Sequence, residues 1–235
     1  MPTTLSLQPI GILHSPYKEK FAVPRQPGLV PSARARLELL PPCNDPQTLR
    51  DIEQFSHLWL IFQFHECADQ GWHPTVRPPR LGGNERVGVF ASRSPFRPNG
   101  LGLSVVQLLG VQQQGSRLWL ELSGVDLVDG TPILDIKPYV PYADSHPEAR
   151  GGFAPDAPSP MAVEFSPEAE LAIQRAQHHY PELRAFIAEV LAQDPRPAYR
   201  KQSDDEREYG VHLHEFNVRW LVKNGINRVI ALDPV

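Results

Sequence analysis

At 235 residues, with 41% hydrophobic and 21% charged residues, the chain has the composition of a globular protein with one large domain, or a medium domain with a small appendage. No apolar run approaches the roughly 20 residues that a membrane-crossing helix needs, and residues 1–20 lack the basic start, apolar stretch and small-residue cleavage site of a secretory signal, so a cytoplasmic protein that spans no membrane is expected. A formal net charge of −4 argues against indiscriminate coating of nucleic acid, which depends on neutralising phosphates.

Local RNA binding is not excluded by that charge. Arginines gather at Arg34 and Arg36, at Arg77 and Arg80, and at Arg196 and Arg200 beside Lys201. Cys43 and Cys67 cannot build a disulfide framework and neither belongs to a Cys-x-x-Cys pair, so both are read as reduced and structural. The 26 prolines, about twice the ordinary frequency, predict rigid turns and few long helices in the first half.

In chain order, residues 33–39 alternate apolar and charged side chains, the period of a half-buried strand. Asp45 caps Pro46, and Leu49, Ile52 and Phe55 follow at a three-residue spacing that predicts a helix. Residues 57–64 form a nearly continuous apolar and aromatic run, suited to a strand buried on both faces, and 86–91 is a further strand candidate. Residues 101–111 and 117–125 bracket a polar segment ending in Gly115 and Ser116, and so predict a hairpin.

Regular alternation of strands with crossover helices is missing, which excludes a Rossmann-type core. A closed or nearly closed β-barrel manages the edges of so many strands. The fold class expected is therefore mainly β, with an N-terminal β-barrel over residues 1–145, a Pro- and Gly-rich linker over 146–160, and a small C-terminal α+β domain over 161–235. In that domain Ser166 caps a helix that has Pro167 at its first position. A second helix after Pro181 sets Leu183, Phe186, Ile187, Val190 and Leu191 on one stripe. Strands over 211–222 and 226–232 are joined by Lys223-Asn224-Gly225, a strong hairpin signal. His212 and His214 share one face of the first of these strands, but two ligands are too few for a four-coordinate zinc site, and no metal is expected.

The segment Arg93-Ser94-Pro95-Phe96-Arg97-Pro98-Asn99-Gly100-Leu101-Gly102-Leu103-Ser104 stands apart. Each proline fixes its own φ and extends the residue before it, so Arg93 and Arg97 sit in a stiff loop, and Gly100 and Gly102 permit close approach by a ligand. Residue types alone leave two readings open: guanidinium groups aimed at a ligand, or a turn held by structural salt bridges.

This run resembles the TsaA-like domain of the TrmO family, together with Asp51-Ile52-Glu53-Gln54-Phe55-Ser56-His57-Leu58-Trp59-Leu60 and with Asp126-Leu127-Val128-Asp129-Gly130 and its continuation Asp135-Ile136-Lys137-Pro138-Tyr139. The order and spacing match over roughly residues 6–143, and the C-terminal part, with Asp194-Pro195-Arg196-Pro197-Ala198-Tyr199, resembles the family's small second domain. The resemblance implies a β-barrel methyltransferase that binds S-adenosylmethionine, forms a homodimer and methylates N6 of N6-threonylcarbamoyladenosine at position 37, in the tRNA anticodon loop. It also implies the cofactor residues: Pro24, Arg25 and Gln26; His65 and Glu66; Arg93; Leu103; and Asp126, Leu127, Val128 and Asp129.

A site for this cofactor needs acceptors for a ribose diol, a cation for a carboxylate and an apolar wall. Candidates to accept a proton are His65, Glu66, Asp126 and Asp129, and on residue types alone the two aspartates fit a structural turn equally well. Arg97, Lys137 and Tyr139 are expected near the modified base. Arg196, Tyr199, Arg200 and Lys201 are expected on tRNA, in a C-terminal domain separable from the cofactor site.

Overall fold

The computed structural model describes residues 5–196 and 207–235. In chain order its first strands are β1 (Gly11–His14), β2 (Arg34–Leu39), β3 (His57–Gln63), β4 (Thr75–Val76), β5 (Val87–Gly88), β6 (Leu101–Gln114), β7 (Arg117–Ser123) and β8 (Thr131–Pro138). Six of them close into a barrel in the order β1-β2-β7-β6-β3-β8, with every neighbouring pair antiparallel. Closure satisfies both edges of the sheet, as expected of so many strands with so few helices. Alternation decides which side chains turn inward: β2 exposes Arg34 and Arg36 and buries Ala35, Leu37 and Leu39. The interior is completed by residues such as Leu58, Leu60, Val106, Leu120, Leu122 and Ile133.

Several local expectations are corrected. The segment after Asp45 is not one helix. Asp45 does accept from the Gln47 N–H at 2.9 Å, but two 3₁₀ turns, Pro46–Leu49 and Ile52–Gln54, are broken by Asp51 at φ 66, a left-handed conformation that no helix continues through. Residues 86–91 give only the two-residue β5, paired with β4, and then a 3₁₀ turn. β3 is buried on one face only: Leu58, Leu60 and Phe62 turn inward, while Trp59 and Ile61 form the half-covered wall of a cavity. The hairpin of β6 and β7 turns at Gly115, whose φ of 60 suits the tight reversal, and Gln112, Gln113 and Gln114 belong to β6 rather than to the loop.

A short helix, α1 (Pro141–Asp144), follows β8, and no helix or strand lies between it and β9 (Ala162–Phe165). Next come α2 (Pro167–Ala176) and α3 (Leu183–Ala192), then β10 (Glu208–Leu213), β11 (Phe216–Lys223) and β12 (Ile226–Pro234). The four strands form a sheet in the order β10-β11-β12-β9, in which β9 runs parallel to β12. Ser166 caps α2 by accepting from the Ala169 N–H, and all five residues of the stripe on α3 are buried. Asn224 and Gly225 adopt positive φ, 51 and 72, and close the hairpin of β11 and β12. The expected strand over 211–222 is instead two strands that reverse at His214, φ 53. His212 and His214 therefore share no strand face: His212 is exposed, and the His214 ring lies 4.4 Å from that of Tyr180.

Buried side chains of the barrel and of the C-terminal unit form one continuous apolar cluster, so the two are not separable in packing. Residues 15–18 lie at the centre of this contact. Tyr17, fully buried, packs its ring 5.7 Å from Phe186 of α3 and bridges Leu213. The His214 N–H donates to the Pro16 carbonyl at 2.8 Å. Ser32 donates from both its N–H and its hydroxyl to Glu189, and Arg34 pairs with Glu182.

Candidate active site

A cavity of about 590 Å³ opens beside β3 and β6, within the range of small-molecule sites. Trp59 and Ile61 of β3, with Leu101 and Leu103 of β6, give it an apolar wall. The rest of its lining comes from loops that the barrel ends bring together: Pro24, Arg25 and Gln26; His65 and Glu66; Arg93 and Arg97; and Asp126, Leu127 and Val128. Gly102 shows how tightly the wall is packed, since a Cβ there would lie 2.2 Å from the Phe62 ring. Phe62 in turn meets Phe64 edge to face at 5.0 Å.

The stiff loop holds its arginines differently. Arg97 turns back to donate to the Ser92 and Ser94 carbonyls, each at 3.2 Å, and so braces the loop. Arg93 donates to the Gln26 side chain, which joins the two loops across the cavity. Neither arginine makes an ion pair among the described residues, so the salt-bridged-turn reading does not hold.

Asp126 is the site's most perturbed acid. Burial pushes its carboxyl up to about 6, while the Ser104 hydroxyl, its own backbone N–H and Arg93 favour the ionised form. One of its oxygens, Oδ1, is buried with no hydrogen-bond partner, an acceptor directed at nothing in the protein itself. For Arg25, burial pulls the guanidinium pKa down; the Asp194 carboxylate opposes this and nearby Arg80 adds to it. The Asp194 loop thus stands within electrostatic reach of the cavity rim.

Several expected residues lie elsewhere. Asp129 does not line the cavity: its carboxylate accepts from the Ser15 N–H at 2.8 Å and from Lys18 at 2.7 Å, the structural turn role that aspartate fills at such positions. Lys137 is exposed on β8, and Tyr139, whose ring centroid lies 5.8 Å from that of Trp59, is not among the residues lining the cavity. Arg196 is buried and paired with Asp194 at 2.8 Å, so it fastens its own loop instead of presenting a cation to RNA. Tyr199, Arg200 and Lys201 lie outside the described residues.

The arginine cluster at Arg77 and Arg80 was legible in the sequence, but its exposed neighbours Trp72, Arg86 and Phe90 were not. Arg77, Arg80, Arg86 and Arg93 are exposed and form no ion pair among the described residues, and Trp72 and Phe90 in the same stretch of chain are 52% and 77% exposed. Arginines on the barrel's other face are neutralised: Arg36 by Glu121 and Arg117 by Glu38, each at 2.9 Å. Unpaired cations interleaved with exposed aromatics are what an unpaired nucleic-acid strand requires. The sequence signal was a run from residue 77 to 97 with a single acid, Glu85.

The architecture is shared with known proteins. The model of the tRNA-methyltransferase O N-terminal domain matches residues 12–145, and that of the TrmO C-terminal domain matches residues 158–235. A tRNA (adenine(37)-N6)-methyltransferase of Escherichia coli (strain K12) is 53% identical over 233 residues, 99% of each chain. The same name belongs to a protein of Eikenella corrodens that is 45% identical over 182 residues, 77% of this chain and 98% of that one. A crystal structure of TrmO from Pseudomonas aeruginosa superposes with a TM-score of 0.79 at 44% identity, covering all of this chain and 99% of the other. With both domain models matched in order and nearly the whole chain covered, the chain belongs to the TrmO family of tRNA methyltransferases.

Proposed function

We propose that the cavity binds S-adenosylmethionine and that the enzyme methylates N6 of N6-threonylcarbamoyladenosine at position 37 of tRNA. The observation that carries this reading is the Asp126 carboxylate lining the cavity within electrostatic reach of Arg93, which is joined to Gln26. That donor set fits the cofactor: a carboxylate for its diol or ammonium, a guanidinium for its carboxylate, and an apolar wall for its adenine. When bound, the cofactor supplies an electrophilic methyl carbon; N6 bonds to it as the carbon–sulfur bond breaks, and the N6 proton is lost.

The protein's own contribution is positioning. Rigid loops hold the reactants in one geometry and replace a bimolecular encounter, a contribution of about 7 to 11 kcal/mol in favourable systems. His65 and Glu66, which begin a 3₁₀ turn and line the cavity, are the proposed acceptors of the N6 proton. The ureido N–H of the modified base is more acidic than a plain adenine amino group, so a weak acceptor suffices. The proposed partners of the threonyl carboxylate are the exposed arginines of residues 77–93.

The homodimer rests on the family resemblance, supported by Leu103 and Leu109, 54% and 46% exposed on β6. The deciding experiment compares single-turnover methyl transfer to matched tRNAs with and without the threonylcarbamoyl group. Faster methylation of the modified tRNA is expected, and equal rates refute the substrate assignment.

A further inference from the structure

Residues 15–18 form a strap between the cavity and the C-terminal unit. On one side the Ser15 hydroxyl donates to the Leu127 carbonyl at 2.8 Å, and the Asp129 N–H donates to the Tyr17 carbonyl at 2.8 Å. These bonds fix the turn that carries Asp126. On the other side the strap meets the Leu213 bridge, the His214 N–H and Phe186. Tyr17 lies at the centre, fully buried, yet its hydroxyl has no hydrogen-bond partner. Leaving such a group unpaired costs about 1 to 3 kcal/mol. Within the same core Asp126 Oδ1 is likewise buried and unpaired, so a donor and an acceptor are orphaned together.

Resting on the reading that the cavity holds the cofactor, we propose that Tyr17 is a positioning residue for Asp126: in the loaded enzyme its hydroxyl donates to Oδ1, leaving the second carboxylate oxygen for the ligand. The strap thereby makes the C-terminal unit a support of the cofactor site, because Tyr17 is held in place by Phe186 and Leu213. The charged groups facing this pair are Asp126 itself and Glu189 of α3 from the two sides of the tyrosine, and Arg93 beside the carboxylate. Burial, with Asp126 and Glu189 nearby, drives the phenol pKa far upward, so Tyr17 remains a protonated donor. A bond from a neutral donor to the ionised carboxylate lowers the pKa of Asp126, and losing that bond raises it.

The test is Tyr17→Phe in the full chain, with Asp126→Asn beside it and S-adenosylhomocysteine as the calorimetric probe from pH 5.5 to 8.5. Tyr17→Phe keeps the ring packing and removes an unpaired hydroxyl, so a merely structural role predicts unchanged or raised thermal stability and unchanged affinity throughout. Positioning predicts an intact fold and affinity reduced about tenfold near pH 6, with much of the loss recovered at pH 8.5, where Asp126 is ionised in either protein. If Asp126→Asn weakens binding but Tyr17→Phe matches the wild type at every pH, the positioning role is overturned while the cavity assignment stands. If Asp126→Asn also leaves binding unchanged, the cavity assignment itself fails.

Discussion

Asp126→Asn should make the protein more stable at neutral pH. A carboxyl whose pKa rises from 3.8 unfolded to about 6 folded holds its proton more tightly in the native state, so between those values the native protein binds more protons than the unfolded chain. Stability therefore falls as pH rises through this window, and above pH 6 the full penalty of a buried charge is present. At 1.36 kcal/mol per tenfold change in proton affinity, that penalty is about 3 kcal/mol. Asparagine keeps the shape and removes the charge. At pH 7.5 the variant should melt about 6 °C or more above the wild type, since about 1 kcal/mol moves a chain of this size by about 2 to 4 °C. At pH 3.5 the wild-type carboxyl is largely neutral in both states and the difference should vanish. Calorimetric melts of both proteins across this range test the argument, and a variant less stable than the wild type at pH 7.5 refutes it. The gain in stability should be accompanied by lost cofactor affinity, the trade expected where a charge is kept buried for function.

Gly102→Ala should force the Phe62 ring out of the cavity wall, at about 1 to 3 kcal/mol of stability and with weakened cofactor binding; thermal melts with and without cofactor measure both, and an unperturbed variant counts against the tight wall. Replacing Arg77, Arg80 and Arg86 by glutamine should weaken tRNA binding and flatten the slope of log affinity against log salt by about 2, while cofactor affinity stays unchanged; an unaltered slope removes these arginines from the RNA surface. Truncation after Pro160 should uncover Tyr17 and lower both the melting temperature and the cofactor affinity of the remaining barrel, and a truncated chain that binds cofactor normally would separate the two units after all. His214, whose pKa burial lowers to about 4, stays neutral when folded, so its contribution is lost as pH falls from 6.5 toward 4; His214→Gln should reduce acid sensitivity over that window, as measured by urea midpoints.

Most of the barrel was legible because one physical rule governs it: alternation over 33–39 and the turn at Gly115 set inward faces and register without reference to distant residues. The helix after Asp45 failed because periodicity does not report φ, and Asp51 adopts a left-handed conformation that interrupts the run. The single strand over 211–222 failed for a related reason, since His214 makes a turn that neither glycine nor proline announces. At the site, Arg93, Gln26 and Asp126 were found through the family resemblance, whereas Asp129 and Arg196 carry the same residue types in structural roles. Nothing in a linear pattern separates them, because the difference lies in which partner the fold brings within 3 Å. Tyr17 was invisible for the same reason: its significance depends on Phe186 and Leu213, which meet it only in the folded chain.

The route by which the barrel and the strap close has a bearing on how the protein is made. Gly11 pairs with Leu39 nearby, but also with Ile133, and the residues beside Tyr17 bond to His212 and His214, so this segment completes its pairing only after those distant residues have emerged from the ribosome. Contacts of such long sequence separation form slowly, since the entropy of closing the loop is lost before the contact is gained. The turn bearing Asp126 acquires its final hydrogen bonds through that same segment. A nascent chain can thus hold most of its barrel strands while still lacking a finished ligand site, and the later-made sheet completes the earlier-made strap.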